Sequence, residues 1–198
     1  MLQAIRKAMM VLKYTPKFEP VTAPDFNLLN VDNAYLSLAD VMGPEGLVVM
    51  FICNHCPYVK SIQQAMVNDA HTLIKMGVNV VAIMSNDPQE YPEDSFENMQ
   101  KVAKKWAYPF PYLIDQDQQV ARAYGAVCTP DIFGLNAQGE IKYRGRLDAA
   151  GINESHDGLR RDLVVAMEEL VQTGEINSVQ HPSMGCSIKW TQNSKQLN

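Results

Sequence analysis

An α/β fold is predicted, and three features of the chain predict it. Residues 47–52 and 78–84 are almost uninterrupted apolar runs, as expected of strands covered on both faces. Between them, residues 58–76 carry helical spacing through Ile62, Ala65, Met66, Leu73 and Ile74, and Gly77 stops the pattern. A strand, helix and strand in that order imply parallel pairing with a right-handed crossover. The third feature lies downstream, where strands over 131–135 and 140–146 meet at Asn136-Ala137-Gln138-Gly139 as a hairpin. An amphipathic helix over about 159–171 follows and ends at Gly174.

The remaining elements fill the order. Residues 1–22 read as an N-terminal arm. Phe26 to Leu38 reads as two short strands around an Asp32-Asn33 turn, closed by the Gly43-Pro44-Glu45-Gly46 break. Pro92-Glu93-Asp94-Ser95 offers a helix start, and the stripe Phe96, Met99, Val102, Ala103, Trp106 runs until Pro109. Residues 111–115 form a short strand, and 118–124 a short helix closed by Gly125. The expected organisation is the arm over 1–22, one domain over 23–174 and a tail over 175–198 packed on it; a chain of 198 residues suffices for one sizeable core.

Composition narrows the function. A net charge of −5 gives no broad cationic surface, which argues against nucleic acid and anionic membrane as partners. Residues 8–12 are apolar but bounded by Arg6-Lys7 and Lys13, too short for a secretory leader, and no run reaches membrane-spanning length. The expected compartment is the cytoplasm, where Cys53, Cys56, Cys128 and Cys186 stay reduced. Their open roles are catalysis, metal binding or packing.

Cys53-Asn54-His55-Cys56 stands where the first apolar strand gives way to helical spacing. A helix start offers unpaired N–H groups and the positive end of its dipole, and both stabilise thiolate. Cys53 is expected exposed, as the nucleophile; Cys56, one turn inside, would resolve a mixed disulfide on it. A zinc pair or two buried thiols fit the same spacing. His55 would stabilise the neighbouring thiolate as a cation, or be an exposed helix-start residue with no tuning role. Cys53, Cys56 and Cys128 with His55, His181 or Cys186 contain ligand types for Zn²⁺, Cu(I) or an Fe–S cluster, although helix geometry opposes ligation by His55 and both adjacent cysteines at once.

Several segments together carry a resemblance. Ala23-Pro24-Asp25-Phe26 precedes the first hairpin, the apolar strand enters Cys53-x-x-Cys56-Pro57, and Phe110-Pro111-Tyr112-Leu113-Ile114-Asp115 follows. Then come Ala121 to Pro130 (Ala-Arg-Ala-Tyr-Gly-Ala-Val-Cys-Thr-Pro), Phe133, and Asn136-Ala137-Gln138-Gly139-Glu140-Ile141. In this order, over residues 23–172, the chain resembles the thioredoxin-like superfamily in its peroxiredoxin-like (AhpC/TSA) and TlpA/ResA-like branch. Cys-Asn-His-Cys-Pro together with Gly185-Cys186-Ser187-Ile188-Lys189-Trp190 is similar to an uncharacterised peroxiredoxin-like subfamily.

The resemblance implies a three-layer α/β/α fold with a central mixed sheet and an N-terminal β-hairpin extension. It also implies a cis peptide at Thr129-Pro130 opposite the cysteine pair, with the Thr129 backbone binding an extended substrate. Cys128 and Cys186 become candidate additional redox thiols, although either could serve packing alone. No organic cofactor or resident metal is implied, and a homodimer is compatible. The implied activity is thiol–disulfide exchange with a protein or low-molecular-weight partner. The alternatives are a thiol peroxidase and a thiolate metal-binding protein.

Departures from the pattern matter equally. Leu47 stands where thioredoxins place a buried Asp, and Asn54 and His55 where ResA-like proteins place a Glu. Proton transfer would fall to His55, water, or a carboxylate such as Asp87 or Glu93. Cys53 itself occupies the Thr position of a peroxiredoxin site, Thr129-Pro130 falls where its Arg would be, and Arg144 and Arg146 follow only on the next strand. A fast peroxidase is therefore disfavoured.

Overall fold

The computed structural model of the protein describes residues 11–17, 21–153, 156 and 158–191. Strand β1 (Leu12–Tyr14) precedes an antiparallel pair, β2 (Asn27–Asn30) and β3 (Tyr35–Ser37), whose turn has Asn33 at φ 72°, a left-handed conformation that Asn tolerates. Helix α1 (Leu38–Val41) starts in a reciprocal cap between Ser37 and Asp40. β4 (Gly46–Phe51) leads through the cysteine motif to α2 (Pro57–Ser61), α3 (Gln63–Lys75) and β5 (Val78–Met84). A 3₁₀ turn (Pro92–Asp94) and α4 (Phe96–Trp106) precede β6 (Tyr112–Ile114) and α5 (Gln119–Ala123). β7 (Cys128–Thr129), the pair β8 (Asp131–Asn136) and β9 (Ile141–Gly145), α6 (Asp162–Thr173) and β10 (Met184–Ser187) complete the order.

Seven strands form one mixed sheet in the order β3-β2-β6-β5-β4-β8-β9, parallel across β6, β5 and β4 and antiparallel elsewhere. The two-residue alternation of β4 divides the core. Val48 and Met50 join Met66 and Leu73 of α3, Met99 of α4 and Leu163 of α6 on one face. Leu47, Val49 and Phe51 join Val41 of α1 and Val120 of α5 on the other. The result is a three-layer α/β/α thioredoxin-like fold. Among the described residues no helix is long and apolar enough to cross a membrane.

Two features depart from the sequence-based expectation. The helix expected over 58–76 is broken at Ile62, which ends α2 and starts α3 at φ −104°, ψ 5°. Ser61 Oγ donates to Tyr58 O, and Ile62 N bonds Val59 O instead, so a side chain displaces one rung of the helical ladder.

The second is that the tail, expected to pack on the domain, contains a strand. β10 is the centre of a separate three-stranded sheet, β1-β10-β7, in which Cys186 lies opposite Leu12 on one side and Thr129 on the other. Gly185 permits that approach, because a Cβ there would lie 2.0 Å from Thr129 O. Beyond the strand, Lys189 N donates to Asn86 Oδ1, and Asp87 N donates to Lys189 O. Trp190 stacks beneath the Arg122 guanidinium, 4.3 Å from its ring centroid.

Candidate active site

Three elements converge on the cysteine motif. β4 delivers Cys53, Cys56 is the N-cap of α2 with Pro57 at the first helical position, and β7 brings Thr129. Cys53 Sγ lies 3.2 Å from Thr129 Oγ1, and Cys56 Sγ lies 3.1 Å from Thr129 O. The Thr129–Pro130 peptide is cis. Cys186 enters from β10, with its Sγ 2.9 Å from Cys56 Sγ. Cys128 takes no part in this group; its Sγ donates to Pro130 O at 3.4 Å.

The three sulfurs are enclosed. Cys53 is 1% exposed, Cys56 0% and Cys186 1%. This corrects the expectation of an exposed Cys53, and the physical reason is the packing of β10 along β7, which closes the apolar cluster around the motif. The Thr129 edge expected to receive a partner's extended segment is likewise occupied by β10.

Protonation follows from these contacts. Cys56 is held below the ordinary thiol range, chiefly by its sulfur–sulfur contact with Cys186 and then by that with Cys53. The carbonyl of Thr129 works in the opposite sense, since an oxygen that only accepts favours the protonated thiol. Cys53 is pushed up, chiefly by burial, then by its bond to Cys56 and the nearby charge of Asp94, while the Thr129 hydroxyl pulls it down. Cys186 is raised by its bond to Cys56 and by burial. The sulfur most disposed to thiolate is thus Cys56 rather than Cys53.

Asp94 is the residue the sequence reading missed. It is fully buried at the end of the 3₁₀ turn, and its carboxylate lies 2.6 Å from His55 Nδ1. The same carboxylate accepts from Asn54 N at 2.7 Å, His55 N at 3.3 Å and Asn86 Nδ2 at 2.9 Å. Since a carboxylate accepts, it places the His55 proton on Nδ1 and leaves the lone pair on Nε2. Tyr91 stacks on the His55 ring at 4.5 Å. Asn54 is tied by its amide to Glu93 O and by Tyr112 Oη to its carbonyl oxygen, which fixes the loop.

Neither of the two carboxylates considered in the sequence is the one that meets His55. Glu93 is exposed, and Asp87 uses its Oδ1 to accept from Gln89 N. Asp94 could be read as a helix-start residue because Pro-Glu-Asp-Ser has the composition of a cap. Its three polar partners in space carry no spacing signal.

Cys53 Sγ, a His55 ring nitrogen and an Asp94 oxygen lie within 4.8 Å of one another, a grouping that could be considered for a metal. The Asp94 oxygens are already engaged, accepting from His55 Nδ1 and from three further N–H groups. Of the further ligands considered, Cys128 donates to Pro130 O. The donor set is built as a hydrogen-bond network.

Residues 21–144 match the model of the AhpC/TSA family. The chain belongs to the AhpC/TSA family. Within it, the chain is similar to the thiol-disulfide oxidoreductase ResA of Geobacillus thermodenitrificans, 29% identical over 124 residues, or 61% of this chain and 65% of that protein. The match therefore spans slightly less than two thirds of that relative. A crystal structure of an uncharacterized conserved protein from Geobacillus kaustophilus has a TM-score of 0.87 at 43% identity, covering 92% of this chain and 98% of that one. The thioredoxin domain of a thiol-disulfide oxidoreductase from Bacteroides vulgatus matches in fold, with a TM-score of 0.57 at 18% identity over 76% of this chain and 96% of that chain.

The two arginines considered for a peroxidatic site, Arg144 and Arg146, are each held by an aspartate. Arg144 Nη2 lies 2.8 Å from Asp131 Oδ2, donates to Gly125 O, and stacks over Phe133 at 4.7 Å. Arg146 Nε lies 2.7 Å from Asp162 Oδ2.

Proposed function

We propose that the protein is a thiol–disulfide oxidoreductase whose redox couple is Cys53 and Cys56, acting on a protein or low-molecular-weight disulfide or thiol. The observation that carries this reading is the convergence of both sulfurs on Thr129, one on its hydroxyl and one on its carbonyl, beside Pro130. Two sulfurs anchored to one residue are poised to open and close a disulfide between them. The AhpC/TSA family match and the ResA likeness support the same chemistry.

In the reductive direction, Cys53 passes its proton to the neighbouring Cys56 thiolate and attacks a partner disulfide. A mixed disulfide forms on Cys53 and the partner's first thiolate leaves. Cys56 then attacks Cys53, releasing the second thiolate and leaving Cys53–Cys56 oxidised. His55, held by Asp94 and carried between the cysteines, supplies or accepts the proton that balances each thiolate. Exchange of this kind requires no organic cofactor. Four unpaired thiols suit a reducing compartment such as the cytoplasm.

Peroxide reduction is the less supported reading, because Arg144 and Arg146 are held in ion pairs with Asp131 and Asp162. Stopped-flow oxidation of the reduced protein tests both. A small disulfide is expected to oxidise Cys53 and Cys56 together, with the reaction slowed but not abolished in Cys53→Ser, while hydrogen peroxide acts no faster than on free cysteine. Rapid peroxide oxidation with slow disulfide exchange would reverse the assignment.

A further inference from the structure

We propose that Cys186 is a third redox thiol that exchanges with the Cys53–Cys56 disulfide at Cys56 and ties β10 covalently across the site. The proposal rests on the reading of Cys53 and Cys56 as the redox couple.

An extended segment carrying a cysteine, laid antiparallel beside the residue before Pro130, is the arrangement expected of a bound substrate. Here the chain supplies that segment itself. β10 pairs with β7 so that Cys186 lies opposite Thr129, and Cys186 Sγ stands 2.9 Å from Cys56 Sγ. A disulfide bond is about 2.05 Å long, so the two sulfurs need close by less than ~1 Å. Gly185 lets the strand press this near, since any Cβ there would collide with Thr129 O. Hydrogen bonds on both sides of Cys186 hold it in place: Thr15 N donates to Ser183 O, and Lys189 N donates to Asn86 Oδ1. Ser183 Oγ adds a bond to Pro130 O at 2.7 Å. The tail is thus bonded directly to the residues that frame the cysteine pair.

The exchange balances without an outside reagent. Cys186 loses its S–H proton and attacks Cys56 Sγ of the Cys53–Cys56 disulfide. The Cys56–Cys186 bond forms, the Cys53–Cys56 bond breaks, and its electron pair leaves on Cys53, which takes the proton. No electrons enter or leave, and the oxidised chain exists as two linkage isomers. One isomer returns Cys53 as a thiol while β10 is covalently anchored. Cys128, facing Pro130 O, stays outside the exchange.

Mass-spectrometric disulfide mapping of the full chain tests this. The reduced protein is oxidised with glutathione disulfide, its remaining thiols are alkylated, and it is digested without reduction. A Cys56–Cys186 peptide is expected beside the Cys53–Cys56 peptide in the wild type. In Cys53→Ser, glutathione disulfide first forms a mixed disulfide with Cys56 and Cys186 resolves it, so Cys56–Cys186 should be the dominant intrachain link. Gly185→Ala, which displaces the strand, should lose most of it. Wild-type protein holding only Cys53–Cys56, with Cys186 fully alkylated and no intrachain link in Cys53→Ser, overturns the proposal and leaves the redox couple standing. Absence of any intrachain disulfide in the wild type overturns both.

Discussion

His55 Nδ1 sits 2.6 Å from Asp94 Oδ2, and the carboxylate is fully enclosed. The acid beside the cysteine motif therefore comes from the 3₁₀ turn after β5. Leu47, at the position where β4 would carry an Asp in a thioredoxin, packs into the opposite face of the sheet.

Asp94 holds several buried donors at once, so its replacement has two effects. Asp94→Ala leaves Asn54 N and Asn86 Nδ2 without their acceptor, an expected cost of about 2–4 kcal/mol. For a chain of this length that lowers Tm by roughly 5–15 °C, measured by calorimetry. Asp94→Asn, which removes the charge but keeps an acceptor, should lower the Cys53 pKa. His55→Ala should do the reverse, removing the hydrogen bond that His55 Nδ1 makes to the Asp94 carboxylate beside Cys53, raising the Cys53 pKa and making the reduction potential more negative. Identical Cys53 titrations in both variants would show that the pair does not tune the thiol.

Thr129 Oγ1 is the hydrogen-bond partner that lowers the Cys53 pKa. In Thr129→Val that bond is lost at nearly constant volume. A loss of about 1 kcal/mol corresponds to roughly fivefold slower attack on a small disulfide at neutral pH. An unchanged rate with an unchanged fold would remove the hydroxyl from the chemistry.

The pH dependence has a definite sign. Burial raises the Cys53 pKa above its ordinary value of 9.0, so the thiol is protonated at neutral pH and its thiolate grows as pH climbs. In Cys56→Ser, where burial of Cys53 remains, mixed-disulfide formation with glutathione disulfide should still be accelerating past pH 9. The slope should approach about tenfold per pH unit. A plateau already reached at pH 7 would mean that Cys53 is an acidic thiol after all.

Arg144 and Asp131 form a buried ion pair, with side-chain exposures of 5% and 0%. Arg144→Leu strands the Asp131 carboxylate, and the expected destabilisation is about 3–5 kcal/mol, read from denaturant unfolding. The rate of peroxide oxidation per folded molecule should not change. A selective fall in that rate would identify Arg144 as a peroxidatic residue.

Much of this architecture is legible in the chain because its signals are local. The apolar runs of β4 and β5, the Asn136 to Gly139 turn and the cysteine motif each lie within a few consecutive residues. What escaped depends on contacts between distant segments. β10 is four residues long and pairs with a two-residue strand, too short for any periodicity to announce it. The glycine before Cys186 marks the pairing, since close backbone approach excludes a side chain there. The burial of Cys53 follows from that same pairing and was missed with it. The break at Ile62 is set by one hydroxyl, that of Ser61, which apolar spacing does not register.

The central claim is that Cys53 and Cys56 form one redox couple. Equilibration of the protein across a series of glutathione buffers, with acid quenching and mass-mapped alkylation, tests it most directly. The prediction is that Cys53 loses its free thiol as a two-electron step near 30 mV per decade, with Cys56 as its partner in an intrachain disulfide. Cys53 and Cys56 that titrate independently, or that remain alkylatable under oxidising conditions with stoichiometric metal bound, would contradict it.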